Sequence, residues 1–286
     1  MPDSFTRRDC LRRLALALPA GLAGCVSPGG AGLDGGSRRN LAKWEFQQRF
    51  LASGARFRYL PYGGQGRAWT LQIERLYRTF RTDSRVGYAV KNLHTGRYLA
   101  EHQADQLFMG GSMPKPPIAA MLLEKRQGAC SYEEFMHIVY VCDKSLNSSW
   151  MALHSRLTPA DEASFRWRHQ LPFSNILGNQ LSPRFYAEFF DRCVNYRFDH
   201  GCELLLEAMR RDQYGFGRLY LPRHITYAGG KTGNYGEWDH EALFFYHGAT
   251  PYAITLFTRG NIAPGKMNWA LGALMGGLYR EHVATV

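Results

Sequence analysis

Ser112 and Lys115 stand three residues apart in Gly110-Gly111-Ser112-Met113-Pro114-Lys115, ahead of the apolar run Ile118 to Leu123. That spacing puts both side chains on one face of a helix that begins near Ser112. A lysine pressed into a buried helix start loses solvation, so its pKa falls and it becomes a base. The serine beside it then has a group to take its proton. A helix N-terminus also offers free N–H groups to developing negative charge. The plainer reading is that a serine before a helix is a cap. Two more groups bear on the choice. Lys231-Thr232-Gly233 closes a predicted strand, and a lysine with a hydroxyl at a strand end can hold a carboxylate. Gly229, Gly230 and Gly233 let a ligand approach the backbone closely. Ser145-x-Asn147 lies in a polar loop, where such residues usually form turns.

The elements that must position these groups follow from periodicity and punctuation. Trp69, Ile73, Leu76, Tyr77 and Phe80 recur at helical spacing within Ala68 to Arg81. Val86 to Asn92 and Tyr98 to Glu101 are strands around the turn His94 to Arg97. Ser131 with Glu134 opens a helix that runs to about Val141. Further helices are expected over Ser148 to Leu157, Pro159 to His169, Ser182 to about Tyr196 and Gly201 to Arg211, with residues 170–180 as a loop. Strands return at Thr226 to Gly233, Ala242 to His247 and Tyr252 to Thr258, with a loop from Tyr235 to His240, before a helix from Pro264 to Glu281. The expected fold is α+β. One antiparallel sheet is built from both chain ends (68–111 and 212–286) and covered by helices, with 112–211 as an inserted helical region.

The order of the three groups decides between the readings. Ser112-x-x-Lys115, then Ser145-x-Asn147, then Lys231-Thr232-Gly233 resembles the serine β-lactamases and penicillin-binding proteins over about residues 68–286. Ser-x-Asn in the second motif is closest to the class A pattern. The resemblance implies that Ser112 attacks a carbonyl and becomes acylated. Lys115 is its base, directly or through Ser145. Asn147 binds the substrate amide, Lys231 and Thr232 hold the substrate carboxylate, and the N–H groups of Ser112 and Asn234 form the oxyanion hole. No metal or cofactor is implied, and the protein is expected to be a monomer. The substrate would be a β-lactam or a D-Ala-D-Ala-like peptidoglycan stem. Three departures stand out. The first two motifs are close together, which implies a missing cleft wall. Leu146 replaces the middle aspartate. No carboxylate lies in 170–180, where class A enzymes keep their deacylation base, and Glu162 and Glu188 sit on helices either side. Slow release of the acyl group is expected, and Pro117 is expected to distort the helix start. The alternative from another class is a non-catalytic binder of cell wall or β-lactam.

The rest of the chain bounds where such an enzyme works. Arg7, Arg8, Arg12 and Arg13 precede the apolar stretch Leu14 to Ala23, which reads as an export signal too short to span a bilayer. Arg7-Arg8 resembles a twin-arginine signal, and Leu22-Ala23-Gly24-Cys25 a lipobox that lipidates Cys25. Residues 26–67 begin as a Gly-rich tether, and the aromatic and basic stretch from 41 has no assigned role. A periplasm-facing lipoprotein, held at the outer membrane, is the expectation. The formal net charge is +11, yet no basic block with interleaved aromatics and no nucleic-acid motif is present, so no nucleic-acid partner is expected. In an oxidising compartment Cys130, Cys142, Cys193 and Cys202 are expected to pair. Of the three possible connectivities, the local Cys130–Cys142 and Cys193–Cys202 is simplest. No C-x-x-C or H-x-x-x-H suggests a metal, and the histidines read as surface or core residues.

Overall fold

The computed structural model describes residue 80 and residues 83–212, 214–260 and 267–285. The export signal, Cys25, the tether and the 68–81 helix apart from Phe80 lie outside the described residues. Phe80 is helical and buried against Tyr88.

Strands β1 (Val86–Asn92) and β2 (Tyr98–His102) form a hairpin, and β3 (Phe108–Met109) leads into the turn that carries Ser112. Six helices follow: α1 (Lys115–Lys125), α2 (Tyr132–Asp143), α3 (Asn147–His154), α4 (Pro159–Arg168), α5 (Pro183–Val194) and α6 (Cys202–Arg210), with the short β4 (Gln180–Leu181) before α5. The chain closes with β5 (Ile225–Tyr235), β6 (Trp238–His247), β7 (Thr250–Arg259) and α7 (Met267–His282). The strand order β2-β1-β7-β6-β5 is antiparallel throughout, and β1 pairs with β7 from Val86↔Thr258 to Asn92↔Tyr252. The sheet is therefore closed by both chain ends around a helical insertion, as the alternation of elements predicts.

Both sheet faces are covered, which explains the almost continuously apolar β6 and β7. On one face Ala242, Phe244 and Phe257 pack with α1, α2, α5 and α6; on the other Leu243, Phe245 and Ile254 pack with Leu271, Leu274 and Leu278 of α7. Local signals placed several helix starts. Ser131 caps α2 in a capping box with Glu134, Thr158 does the same for α4 with Asp161, and Ser182 caps α5 ahead of Pro183. Lys91, buried in β1, is held by Glu188 at 2.6 Å and Asp191 at 2.7 Å on α5.

Four sequence expectations need correction. The Tyr235–His240 loop is a tight turn at Gly236-Glu237, with Gly236 at φ +58°, and the strands run up to it on both sides. The 170–180 loop ends in a ladder, Phe108↔Leu181 and Met109↔Gln180, that fastens it to the strand before the Ser112 turn. The four cysteines are buried and form no disulfide. The Cys193 sulfur lies 3.9 Å from the Cys202 carbonyl and the Cys202 sulfur lies near the carbonyls of Phe198 and Arg192; burial, and then the neighbouring Cys202 thiol, raises the Cys193 pKa. Cys142 is packed in the core, where burial pushes its thiol up to about 12.

The fourth correction is the start of α1. Ser112 lies in a turn, Lys115 is the first helical residue, and Pro114, Pro116 and Pro117 occupy the cap and the second and third helical positions. N–H groups there have no acceptor within the helix in any case, so three prolines cost no hydrogen bond, and Ile118 donates normally to the Pro114 carbonyl at 2.9 Å. Pro117 thus causes no distortion. The same prolines strip the helix start of the N–H donors that the sequence seemed to offer to an oxyanion.

Candidate active site

Lys115 joins the first two motifs. Its Nζ lies 3.0 Å from Ser112 Oγ, 3.1 Å from Ser145 Oγ and 2.8 Å from Asn147 Oδ1, and it also donates to the Ser145 carbonyl. The residue is 2% exposed. An ammonium has three protons and a neutral amine two protons and one lone pair, so either form satisfies three of these four oxygens and the fourth contact is shared or given up. Burial, helped by the nearby charge of Lys231, lowers the Lys115 pKa to about 8. Roughly one molecule in ten is then neutral at pH 7 and able to accept the Ser112 proton.

Ser145 reaches Lys115 because α1 leads away from Lys115 and α2, packed against it, returns the chain and ends at Asp143. It takes φ +55°, a left-handed conformation that is strained for a residue with a side chain. Such strain persists only where surrounding contacts hold it, here the two bonds to Lys115. Leu146 is exposed, and Asn147 opens α3 with its Oδ1 on Lys115, which leaves Nδ2 to donate.

The third motif is on β5. Lys231 is fully buried, and its Nζ donates to the Thr232 carbonyl at 2.8 Å. Burial lowers its pKa, while the charge of buried Asp212 opposes the shift. Thr232 is half-buried and Asn234 exposed, with the Asn234 side chain donating to Asp239.

Glycines let this strand touch the nucleophile turn backbone to backbone. A Cβ on Gly111, which has φ +57°, would sit 2.9 Å from the N, C and O of Asn234. A Cβ on Gly233 would sit 2.3 Å from the Gly110 carbonyl oxygen. Both positions exclude any side chain. The contact brings Asn234 against the residue that precedes Ser112, and among the described residues the Ser112 N–H has no acceptor. Gly110 in turn donates to the Asn179 carbonyl at 2.8 Å, so the 170–180 loop buttresses the turn.

The two carboxylates either side of that loop are both engaged. Glu162 accepts the Ile176 N–H at 2.7 Å on one oxygen and the Leu177 N–H at 3.0 Å on the other, so it braces the loop. Glu188 binds Lys91 and Tyr98 on the sheet side of α5.

A family model described as "Beta-lactamase enzyme family" matches residues 143–269, which include the second and third motifs. Solved structures extend the likeness to the first. The chain has the serine β-lactamase fold. A β-lactamase from Xanthomonas campestris pv. campestris superposes with a TM-score of 0.60 at 16% identity, over 74% of this chain and 97% of that one. A β-lactamase from Streptosporangium roseum gives 0.59 at 16% over 75% and 98%, and one from Chitinophaga pinensis 0.57 at 15% over 73% and 97%. No curated protein matches the chain in sequence. Family model and fold together support the serine β-lactamase and penicillin-binding protein superfamily.

Within this β-lactamase fold one positioning residue escaped the sequence reading. His240 is fully buried on β6, opposite Gly233. Its Nδ1 accepts the Thr258 N–H at 3.1 Å, which leaves the proton on Nε2 to be donated to the Met109 carbonyl at 2.7 Å. It thereby ties the sheet to the residue before Gly110. A lone histidine in a strand carries no sequence signal for this. Burial lowers its pKa from 6.5 to about 4. The ring is neutral in the fold but protonates readily in the unfolded chain, so stability is present above pH 6.5 and is lost as pH falls through about 4. The loss from this group is expected to be about 3 kcal/mol. Denaturant unfolding at pH 7 and pH 4 checks it: His240→Phe should show a smaller difference between the two pH values than the wild type, and an equal difference would refute the assignment.

Proposed function

We propose that the protein is an exported serine acyltransferase or hydrolase of the class A-like or DD-peptidase-like type. It forms an acyl-enzyme on Ser112 with β-lactams or D-Ala-D-Ala-like peptidoglycan stems and releases it slowly. The observation that carries the reading is the buried Lys115 amine, within hydrogen-bond reach of both Ser112 Oγ and Ser145 Oγ. Neutral Lys115 takes the Ser112 proton as Oγ bonds to the carbonyl carbon. The carbonyl oxygen becomes negative and is received by the N–H groups of Ser112 and Asn234. When the carbonyl re-forms, the C–N bond breaks and the departing nitrogen takes a proton from Lys115 through Ser145. Asn147 Nδ2 is available for the substrate amide, and Lys231 with Thr232 for its carboxylate. The relatives above are β-lactamases by name, which agrees with this substrate class.

Slow release follows from the carboxylates. The 170–180 loop has none, and Glu162 and Glu188 are committed to other partners. Intact-protein mass spectrometry after mixing with a penicillin tests the whole reading. A long-lived adduct is expected on the wild type and none on a folded Ser112→Ala. Rapid β-lactam turnover would refute slow release. If neither β-lactams nor D-Ala-D-Ala peptides add to Ser112, while Ser112→Ala still binds cell-wall fragments, the protein is a binder. The basic N-terminus and the Leu22–Cys25 lipobox supply the export and anchoring part of the proposal. Fatty-acid labelling that persists in Cys25→Ser would remove the anchor.

A further inference from the structure

The far end of the nucleophile helix carries a second cluster of chemistry-bearing groups. Glu124 lies in the last turn of α1, His169 at the C-terminal cap of α4, and Asp199 in the turn between α5 and α6. One ligand atom from each lies within 4.8 Å of the others. Glu124 and His169 are buried and Asp199 is exposed, so the cluster opens to solvent on one side.

His169 supplies the decisive observation. The residue is 5% exposed, and among the described residues its Nε2 makes no well-aligned hydrogen bond; it stands 3.4 Å from Glu124 Oε2, close enough, against the opposing effect of burial, to help hold that carboxyl low. Buried polar atoms are nearly always satisfied, and an imidazole nitrogen aimed among carboxylates without a hydrogen bond is placed as a metal ligand is. The other Glu124 oxygen is fixed by the His200 N–H at 2.9 Å, which orients the carboxylate. Arg168 approaches Glu124 Oε2 at 3.3 Å, but its side chain is half-exposed and can turn into water at little cost.

We propose that Glu124, His169 and Asp199 bind one divalent transition-metal ion, of which zinc fits the donor set best. A neutral imidazole with two carboxylates balances a double positive charge, and the nitrogen ligand discriminates against magnesium and calcium, which take oxygen. In a zinc tetrahedron with bonds of about 2.0–2.2 Å the ligand atoms lie about 3.3–3.6 Å apart; His169 Nε2 and Glu124 Oε2 already stand at 3.4 Å, and a separation as large as 4.8 Å must close by about 1.3 Å. Water completes the tetrahedron. Glu124 is about 14 Å along the helix from Lys115, so the ion clamps α1 against α4 and the α5–α6 turn and takes no part in the acylation chemistry.

Calorimetric titration of the chelator-treated full chain with zinc chloride, and separately with magnesium chloride, tests this. One zinc per chain is expected, with a rise in Tm that magnesium does not produce. Asp199→Asn changes an exposed side chain and leaves the core intact; it and His169→Gln should each weaken zinc binding by about 10–100-fold. Absence of stoichiometric zinc binding, equal binding of magnesium, or unchanged zinc affinity in a folded Asp199→Asn would overturn the site.

Discussion

Lys115→Ala is expected to slow acylation of Ser112 by about 10²–10⁴-fold, the usual contribution of a positioned general base. The side chain contacts Ser112, Ser145 and Asn147 at once, so its removal takes away both the proton acceptor and the relay. Time-resolved mass spectrometry of the penicillin adduct measures the rate, and circular dichroism establishes that the variant is folded. The pH profile separates a base from a structural prop. With the Lys115 pKa lowered to about 8, the neutral amine grows as pH rises, so the wild-type acylation rate should climb up to about pH 8 and then level. Lys115→Ala should lose that rise as well as the rate. An acylation rate within a few-fold of wild type would show that another group activates Ser112.

Gly233→Ala is expected to cut acylation by about 10²–10³-fold, the effect of displacing one oxyanion donor, without touching any side chain of the catalytic set. The new methyl would meet the Gly110 carbonyl oxygen at 2.3 Å and the Met113 backbone N at 3.1 Å. These are backbone atoms and cannot swing aside. β5 and the Ser112 turn must then separate, which moves the Asn234 N–H away from that of Ser112. A stability loss of about 1–3 kcal/mol is expected alongside, as for other overpacked sites. Gly111→Ala should behave in the same way, because its Cβ would strike Asn234 and its φ of +57° disfavours a side chain. Gly236→Ala is the control, since φ is also positive there but its Cβ meets nothing within 4 Å. It should lose some stability and keep its acylation rate. Normal acylation in Gly233→Ala would mean that the turn and strand do not form the oxyanion site together.

Local chemistry was enough to write much of the fold in the sequence. Ser131 with Glu134 and Ser182 with Pro183 satisfy or remove backbone donors within a few residues, so those helix starts needed no tertiary contact. Strands at both ends of the chain implied one antiparallel sheet built from the two, and the structure pairs β1 with β7 in it. The order Ser112-x-x-Lys115, Ser145-x-Asn147, Lys231-Thr232-Gly233 was legible for the same reason: side-chain identity and spacing are properties of the chain.

What depended on approach between distant backbones was not legible. Gly111 read as a turn glycine and Gly233 as one that lets a ligand approach the backbone, and only the packed structure shows each pressed against the other's segment. The depressed pKa of Lys115 needs the burial that α2, α3 and β5 jointly impose, although its spacing from Ser112 suggested it. His240 becomes a tie to the nucleophile turn because β6 pairs with β7 on one side and passes Met109 on the other. Cysteine positions predicted bridges, whereas the docked structure holds Cys193 and Cys202 as unbridged thiols that also lie against carbonyls. Glu124, His169 and Asp199 share no motif spacing, because the ends of three separate segments meet there. A chain states its donors, acceptors and periodicities residue by residue, but desolvation and close contact arise only when distant segments exclude water from one another.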